Sequence, residues 1–220
     1  MLGIWIFKLG KSNMTNAVLI TQMNIPVEIE AEFNDWYTNE HVAERVDLPG
    51  FKSAFRFMAV DASPKYFAYY ETESIDSLTT PTYKAILADQ SNWSKKVMAK
   101  FRDFGRFCGP LICRVGRGHG ANALVLRAKG GEKLTTLLTE ILNTSIDVPL
   151  AVTGYLWRAD AEATGDANVT GQHIMVIEAL DGETLRQIAA SHLRPSIFAG
   201  LSSEKDLNVG FYRLISFMER

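Results

Sequence analysis

The side chains best able to do chemistry are concentrated in one stretch, where Trp36, Tyr37, Glu40, His41, Glu44 and Arg45 fall within ten positions. The pattern around them reads as a helix over Pro26–Val46. Pro26 suits its first turn, Glu28, Glu30 and Glu32 favour the N-terminal dipole, and Leu48-Pro49-Gly50 ends it. At about 100° per residue, Ile29, Phe33, Trp36 and Tyr37 form an apolar stripe that Glu40 and Glu44 continue. Carboxylates on such a stripe need partners, and His41 and Arg45 are the nearest, one helical turn apart. An imidazole titrates near neutrality and can serve as a general acid or base when a carboxylate tunes it. On that reading His41 is catalytic with Tyr37, Glu40 and Glu44, while Trp36 and Arg45 line the substrate site. Two bland readings stand beside it. Glu40, His41, Glu44 and Arg45 could be a salt-bridge network closing the helix end over a Trp36–Tyr37 core, or the helix end could lie in a dimer interface.

Polar residues on otherwise apolar strands are the second group. Arg56 and Arg158 occupy matching positions, as do Tyr66 and His173, and Thr21, Gln22, Tyr69, Arg114 and Tyr212 add polar atoms. Turned inward, Arg56, Tyr69 and Arg158 would bind an anionic or phenolic substrate. The alternative is that the arginines snorkel at the sheet rim or pair with Glu71 and Glu178. His192 sits where a cation suits a helix C-terminus. His119 lies in a glycine linker, Gly116–Gly120, which lacks the spacing of a phosphate loop and is expected to leave the histidine exposed. No histidine pair has metal-ligand spacing, and Ser and Cys nucleophile motifs are absent. Neither a metal nor a cofactor is expected.

The elements that must position these residues come twice. Asn16-Ala17-Val18-Leu19 resembles Asn122-Ala123-Leu124-Val125, and Ala54-Phe55-Arg56 resembles Leu156-Trp157-Arg158. Lys65–Glu71 matches Gln172–Glu178, Leu78 matches Leu185, and Phe104–Phe107 matches Val209–Tyr212. The common order at a nearly constant offset, roughly 102 to 107 positions, points to duplication. The first half reads as strand Ala17–Met23, the helix above, strands Phe51–Val60 and Tyr66–Glu71, helices Ser77–Leu87 and Trp93–Phe104, and strand Arg106–Arg114. Phe51, Phe55 and Phe57 are expected on one face of their strand. The second half reads as strand Ala123–Arg127, helix Glu132–Leu142, strands Val152–Ala159 and His173–Ala179, helix Glu183–Ser191 and strand Val209–Met218. Units 15–115 and 121–220 follow, each a ferredoxin-like βαββαβ repeat. Both sheet faces are apolar, so the face without helices must be buried, most economically against the other copy. The fold class is therefore α+β, two such repeats forming one intrachain α+β barrel.

The stretch Asp35-Trp36-Tyr37, Glu40-His41, Glu44-Arg45 and Pro49-Gly50-Phe51 resembles the EthD-like branch of the dimeric α+β barrel superfamily. That resemblance implies His41 as the residue reaching the cavity. It also implies a cofactor-free enzyme of monooxygenase, isomerase or cyclase type acting on an aromatic, polyketide or lactone-like metabolite. A non-catalytic ligand-binding or assembly barrel remains the other reading. The second half departs from the motif, since Glu132–Leu142 carries no Trp-Tyr pair and no histidine.

Bulk properties narrow the partners. With 23 basic and 25 acidic residues, a net charge of −2 gives no footprint for nucleic acid or an anionic membrane. The two cysteines, Cys108 and Cys113, form no disulfide framework and read as buried thiols of a cytoplasmic protein. The apolar run Met1–Phe7 is too short to span a membrane and makes a poor signal peptide, which leaves an extra strand, a disordered tail, or an upstream start with Met14 as the usual first residue. A small molecule is the expected partner, with a homodimer or higher oligomer also open to the chain.

Overall fold

The computed structural model describes residues 16–220, so Met1–Phe7, Met14 and the first residue of the 15–115 unit lie outside the described residues. The first half contributes strands β1 (Ala17–Asn24), β2 (Phe51–Asp61), β3 (Tyr66–Thr72) and β4 (Arg102–Gly116). The second contributes β5 (Asn122–Lys129), β6 (Ala151–Arg158), β7 (Gln172–Ala179) and β8 (Asn208–Glu219). All pairings are antiparallel, in the order β1-β3-β2-β8-β5-β7-β6-β4, and β4 returns to β1 to close a barrel.

Closure is made by the last strand of each half. Residues 102–110 of β4 pair with β1, and residues 111–116 pair with β6 of the other half. In the same way β8 pairs with β5 and then with β2. At the β4 crossover a Cβ on Gly109 would fall 2.1 Å from the Arg158 carbonyl oxygen, so only glycine lets the strands approach there.

Helices α1 (Glu30–Trp36), α2 (Val42–Val46), α3 (Pro81–Ala88) and α4 (Asn92–Met98) cover the outside of the first half. The outside of the second is covered chiefly by α5 (Glu132–Ser145) and α7 (Gly182–His192), while the short α6 (Ala161–Thr164) abuts β4. Three apolar layers result, one under each helical set and one inside the barrel. The barrel interior is aromatic, holding Phe55, Phe57, Phe67, Tyr69, Tyr155, Trp157 and Tyr212.

Several elements differ from the sequence expectation. Phe51 belongs to the helix-side core, whereas Phe55 and Phe57 face the barrel interior. A bulge between Phe51 and Ser53 inserts one residue, and one residue reverses the faces of a strand. The helix expected over Trp93–Phe104 ends at Met98, and β4 begins at Arg102. Pairing to β1 claims these backbone groups for the sheet. The polar loop after β6 holds α6, capped by Asp160, whose carboxylate accepts from the Ala163 N–H at 2.9 Å. His119 is exposed, as expected, although its ring rests on the barrel end. Its ring lies 4.2 Å from that of Phe55, and Nδ1 is 3.3 Å from Glu178.

A packed interior makes a mutational prediction. Trp157→Ala, which removes a side chain 2% exposed inside the barrel, is expected to cost about 3–5 kcal/mol in urea unfolding. An unchanged midpoint would show that the interior is not a core.

Candidate functional site

The helix carrying the motif is not regular. Between α1 and α2, residues Tyr37–His41 form a π-helical turn, which inserts one residue into the helical repeat. The inward face rotates by about one residue, roughly 100°. Before the turn Phe33, Trp36 and Tyr37 point inward; after it Val42, Arg45 and Val46 do. Glu40 and Glu44, which continue the stripe on a regular helix, are displaced to half-buried positions. Below α2, Gly50 takes φ +86°, and a Cβ there would lie 2.4 Å from Ser77 Oγ. The Pro-Gly-Phe segment thus turns the chain into β2 where no other residue fits.

His41 faces a small pocket of about 70 Å³ between this helix and the outer face of the first sheet. Tyr37, Tyr70, Tyr83, Arg45 and Thr21 share the pocket, and Leu87, Met98, Phe101 and Phe104 close it. The imidazole packs against Trp36 at 4.5 Å and edge-on to Tyr37 at 5.0 Å between ring centroids. Burial holds its pKa well below the ordinary value, and the Arg45 and Arg56 guanidinium groups push it the same way, so the ring is neutral at pH 7. His41 Nδ1 and Arg45 Nη1 are both buried without a hydrogen-bond partner among the described residues. The Tyr70 hydroxyl donates to the Tyr37 oxygen at 3.0 Å, and Tyr37 and Thr21 share a hydrogen bond at 3.2 Å.

The remaining candidates from the sequence are dispersed. Glu40 is hydrogen-bonded to other groups: its Oε1 accepts from Trp36 Nε1 at 3.2 Å, Ser91 Oγ at 2.5 Å and Ser94 Oγ at 3.0 Å, fastening α4 to the π turn. Burial and the nearby Glu40 raise the Glu44 pKa, and Glu44 forms no ion pair among the described residues. Arg56 is buried on the far side of Tyr37, stacked 4.0 Å from its ring and donating to Thr38 at 2.7 Å and Asn34 at 2.9 Å. Tyr69 points into the barrel and donates to Glu178 at 2.6 Å. Arg158 lies at the outer rim, paired with Glu132. Cys108 is buried and its thiol is pushed up to about 11, and Cys113 is half-buried. Tyr70, Tyr83 and Arg106 complete the pocket and went unread in the sequence. Strand parity was the available signal for Tyr70, because Tyr66, Ala68 and Tyr70 share the helix-facing side of β3 while Phe67 and Tyr69 face inward.

No family model and no curated protein sequence matches the chain. Solved structures do. An anthrone oxidase-like protein superposes with a TM-score of 0.67 at 7% identity over 94% of each chain. A candidate monooxygenase from Lactobacillus acidophilus gives 0.61 at 6% identity, covering 93% of this chain and 96% of the other. A heme-binding protein from Thermus thermophilus gives 0.55 at 8% identity over 92% of each. The chain therefore has the dimeric α+β barrel fold, built within one polypeptide. At such identities the likeness extends to architecture alone. Among the described residues no helix is long and apolar enough to cross a membrane, and no His, Cys, Asp and Glu cluster could hold a metal ion.

The depressed His41 pKa has a defined signature. Above the ordinary value near 6.5 the imidazole is neutral in both folded and unfolded chains. As the pH falls through 6.5 the unfolded chain takes up a proton that the folded one refuses, so stability drops, by at most about 1.4 kcal/mol per pH unit. Denaturant titrations at pH 7 and pH 5 are expected to show a smaller loss in His41→Phe than in the parent. Equal losses would mean that the ring protonates freely in the folded state.

Proposed function

We propose that the chain is a cofactor-independent enzyme of monooxygenase, isomerase or cyclase type, acting on a small aromatic, polyketide or lactone-like metabolite in the His41 pocket. One observation carries this reading: an unpartnered acceptor and an unpartnered cationic donor, His41 Nδ1 and Arg45 Nη1, are buried beside the same apolar pocket. Burying either without a partner costs free energy, and a substrate that supplies both partners recovers it.

The step common to the three reaction types is proton removal. His41 Nδ1 accepts a proton from an acidic C–H or O–H, and the electron pair left behind resides on a conjugated oxygen held by Arg45. Burial, helped by the neighbouring guanidinium groups, keeps His41 neutral and able to accept, and the oxyanion that forms is attracted to the same positive charge. Tyr70 and Tyr37 orient the substrate through their linked hydroxyls. As closed, the pocket holds only a few waters, so Phe101, Phe104, Met98 and Leu87 must swing aside for entry. At about 70 Å³ the pocket does not fit a heme, the group that the Thermus thermophilus protein binds. The motif supports an EthD-like assignment, and the 15–115 and 121–220 units are read as copies of one ancestral repeat.

The use of Glu40 to fasten α4 favours a second reading, a ligand-binding barrel without turnover. Anthrone separates the two, because its C10 protons exchange with solvent once removed. In D2O under argon the parent is expected to accelerate that exchange, and His41→Gln to lose about 100-fold or more. Binding by tryptophan fluorescence without accelerated exchange would favour the binding protein over the enzyme.

A further inference from the structure

A larger recess lies at one mouth of the barrel, where β1 and β5 end and β7 and β8 begin, with a volume of about 530 Å³. Small-ligand sites span roughly 300–1,000 Å³, so this recess is of ligand size as it stands. The strand pattern explains its character. On β1 the inward positions run Val18, Ile20, Gln22, and on β5 they run Ala123, Val125, Arg127, so the apolar interior ends here in polar side chains. Thr21 and Gln22, adjacent in β1, face the His41 pocket and this recess respectively, which places the sheet between the two.

Two buried polar atoms at this mouth lack partners among the described residues: Gln22 Oε1, an acceptor, and Arg127 Nη2, a donor. The rest of the Arg127 head is held in place, since Nη1 donates to Asn208 at 3.3 Å and the guanidinium lies 5.7 Å from the Phe67 ring. The charge is unbalanced. Arg106, Arg127, Lys129 and Lys205 line the recess against Asp166 and Asp206. Both carboxylates already accept hydrogen bonds within their own loops, from the Asn168 N–H at 2.9 Å and Ser203 Oγ at 2.5 Å. The floor is apolar, formed by Ile20, Phe107 and Ile174.

We propose that this mouth is a second ligand site, taking a small organic anion with a flat apolar body, an aromatic carboxylate, whose carboxylate meets Arg127 Nη2 while the ring rests on Ile20, Phe107 and Ile174. A hydroxyl on the ring would donate to Gln22 Oε1. The excess of cations selects the anion, and the apolar floor selects an organic one over inorganic phosphate. The site lies on the other face of the sheet from His41, with Phe104 and Arg106 bordering both, and does not depend on the chemistry of His41.

Titration of the 15N-labelled full chain with benzoate, benzamide and inorganic phosphate tests this. Benzoate is expected to shift the amides of Gln22, Arg127 and Ile174 saturably, with Kd below about 1 mM. Benzamide, the neutral counterpart, should bind at least tenfold more weakly, and Arg127→Gln should weaken benzoate at least tenfold. 3-Hydroxybenzoate, whose hydroxyl cannot reach its own carboxylate, should gain over benzoate in the parent and lose that gain in Gln22→Leu, a comparison that holds even if Arg127→Gln does not fold. Equal binding of benzoate and benzamide overturns the proposal. So do equal or tighter binding of phosphate, or benzoate shifts confined to Thr21 and Tyr70, which would put the anion in the His41 pocket.

Discussion

Each of the two sheets is apolar on both faces, and its own helices can cover only one. That is the constraint from which the rest of the molecule follows. The uncovered faces carry eight of the large aromatic rings in the chain, Phe55, Phe57, Phe67, Tyr69, Phe107, Tyr155, Trp157 and Tyr212. Exposing them to water would forfeit roughly 1.5–3 kcal/mol for each side chain. Bringing the faces together removes that loss, and the exchange of β4 and β8 between halves turns two stacked sheets into one barrel without free edges.

Closure then decides what the barrel ends look like. One end carries Glu178, held by the Tyr69 hydroxyl, the Gly120 N–H at 2.9 Å and His119, so the linker between the halves serves as its cover. The other end carries Arg127 and Gln22 and stays open. The barrel is aromatic along its length but electrostatically unlike at its two mouths, with a buried carboxylate at one and the Arg127 guanidinium at the other.

Outside the barrel, the π turn performs the comparable task for the His41 pocket. A regular helix would have turned two glutamates toward the sheet. The extra residue turns an arginine inward instead and leaves Glu40 free to anchor α4 through two serines and the Trp36 indole. The result is a pocket whose electrostatics are cationic and whose histidine is deprived of a carboxylate partner. A histidine paired with a glutamate would be drawn toward its charged form; here burial, reinforced by Arg45 and Arg56, holds it neutral.

Much of the architecture is legible in the chain because it rests on local periodicity. Alternating apolar residues, the proline and glycine stops, and the twofold recurrence of the pattern determine the strands, the main helices and the need for a barrel. The motif residues Trp36, Tyr37, His41 and Arg45 also stand out by type and spacing. The tertiary structure alone decided which face each of them presents. A single inserted residue, in the π turn or in the Phe51–Ser53 bulge, reverses or rotates everything beyond it, and nothing in the local composition announces the insertion. Apart from Trp36, one helical turn from Glu40, the partners of Glu40, Tyr69 and Arg56 lie 18 to 109 positions away, set by packing between elements rather than by spacing within one. For the same reason Arg127 reads as an ordinary strand residue, and Gln22 only as one of several polar residues on apolar strands, until the closed barrel brings them to one mouth.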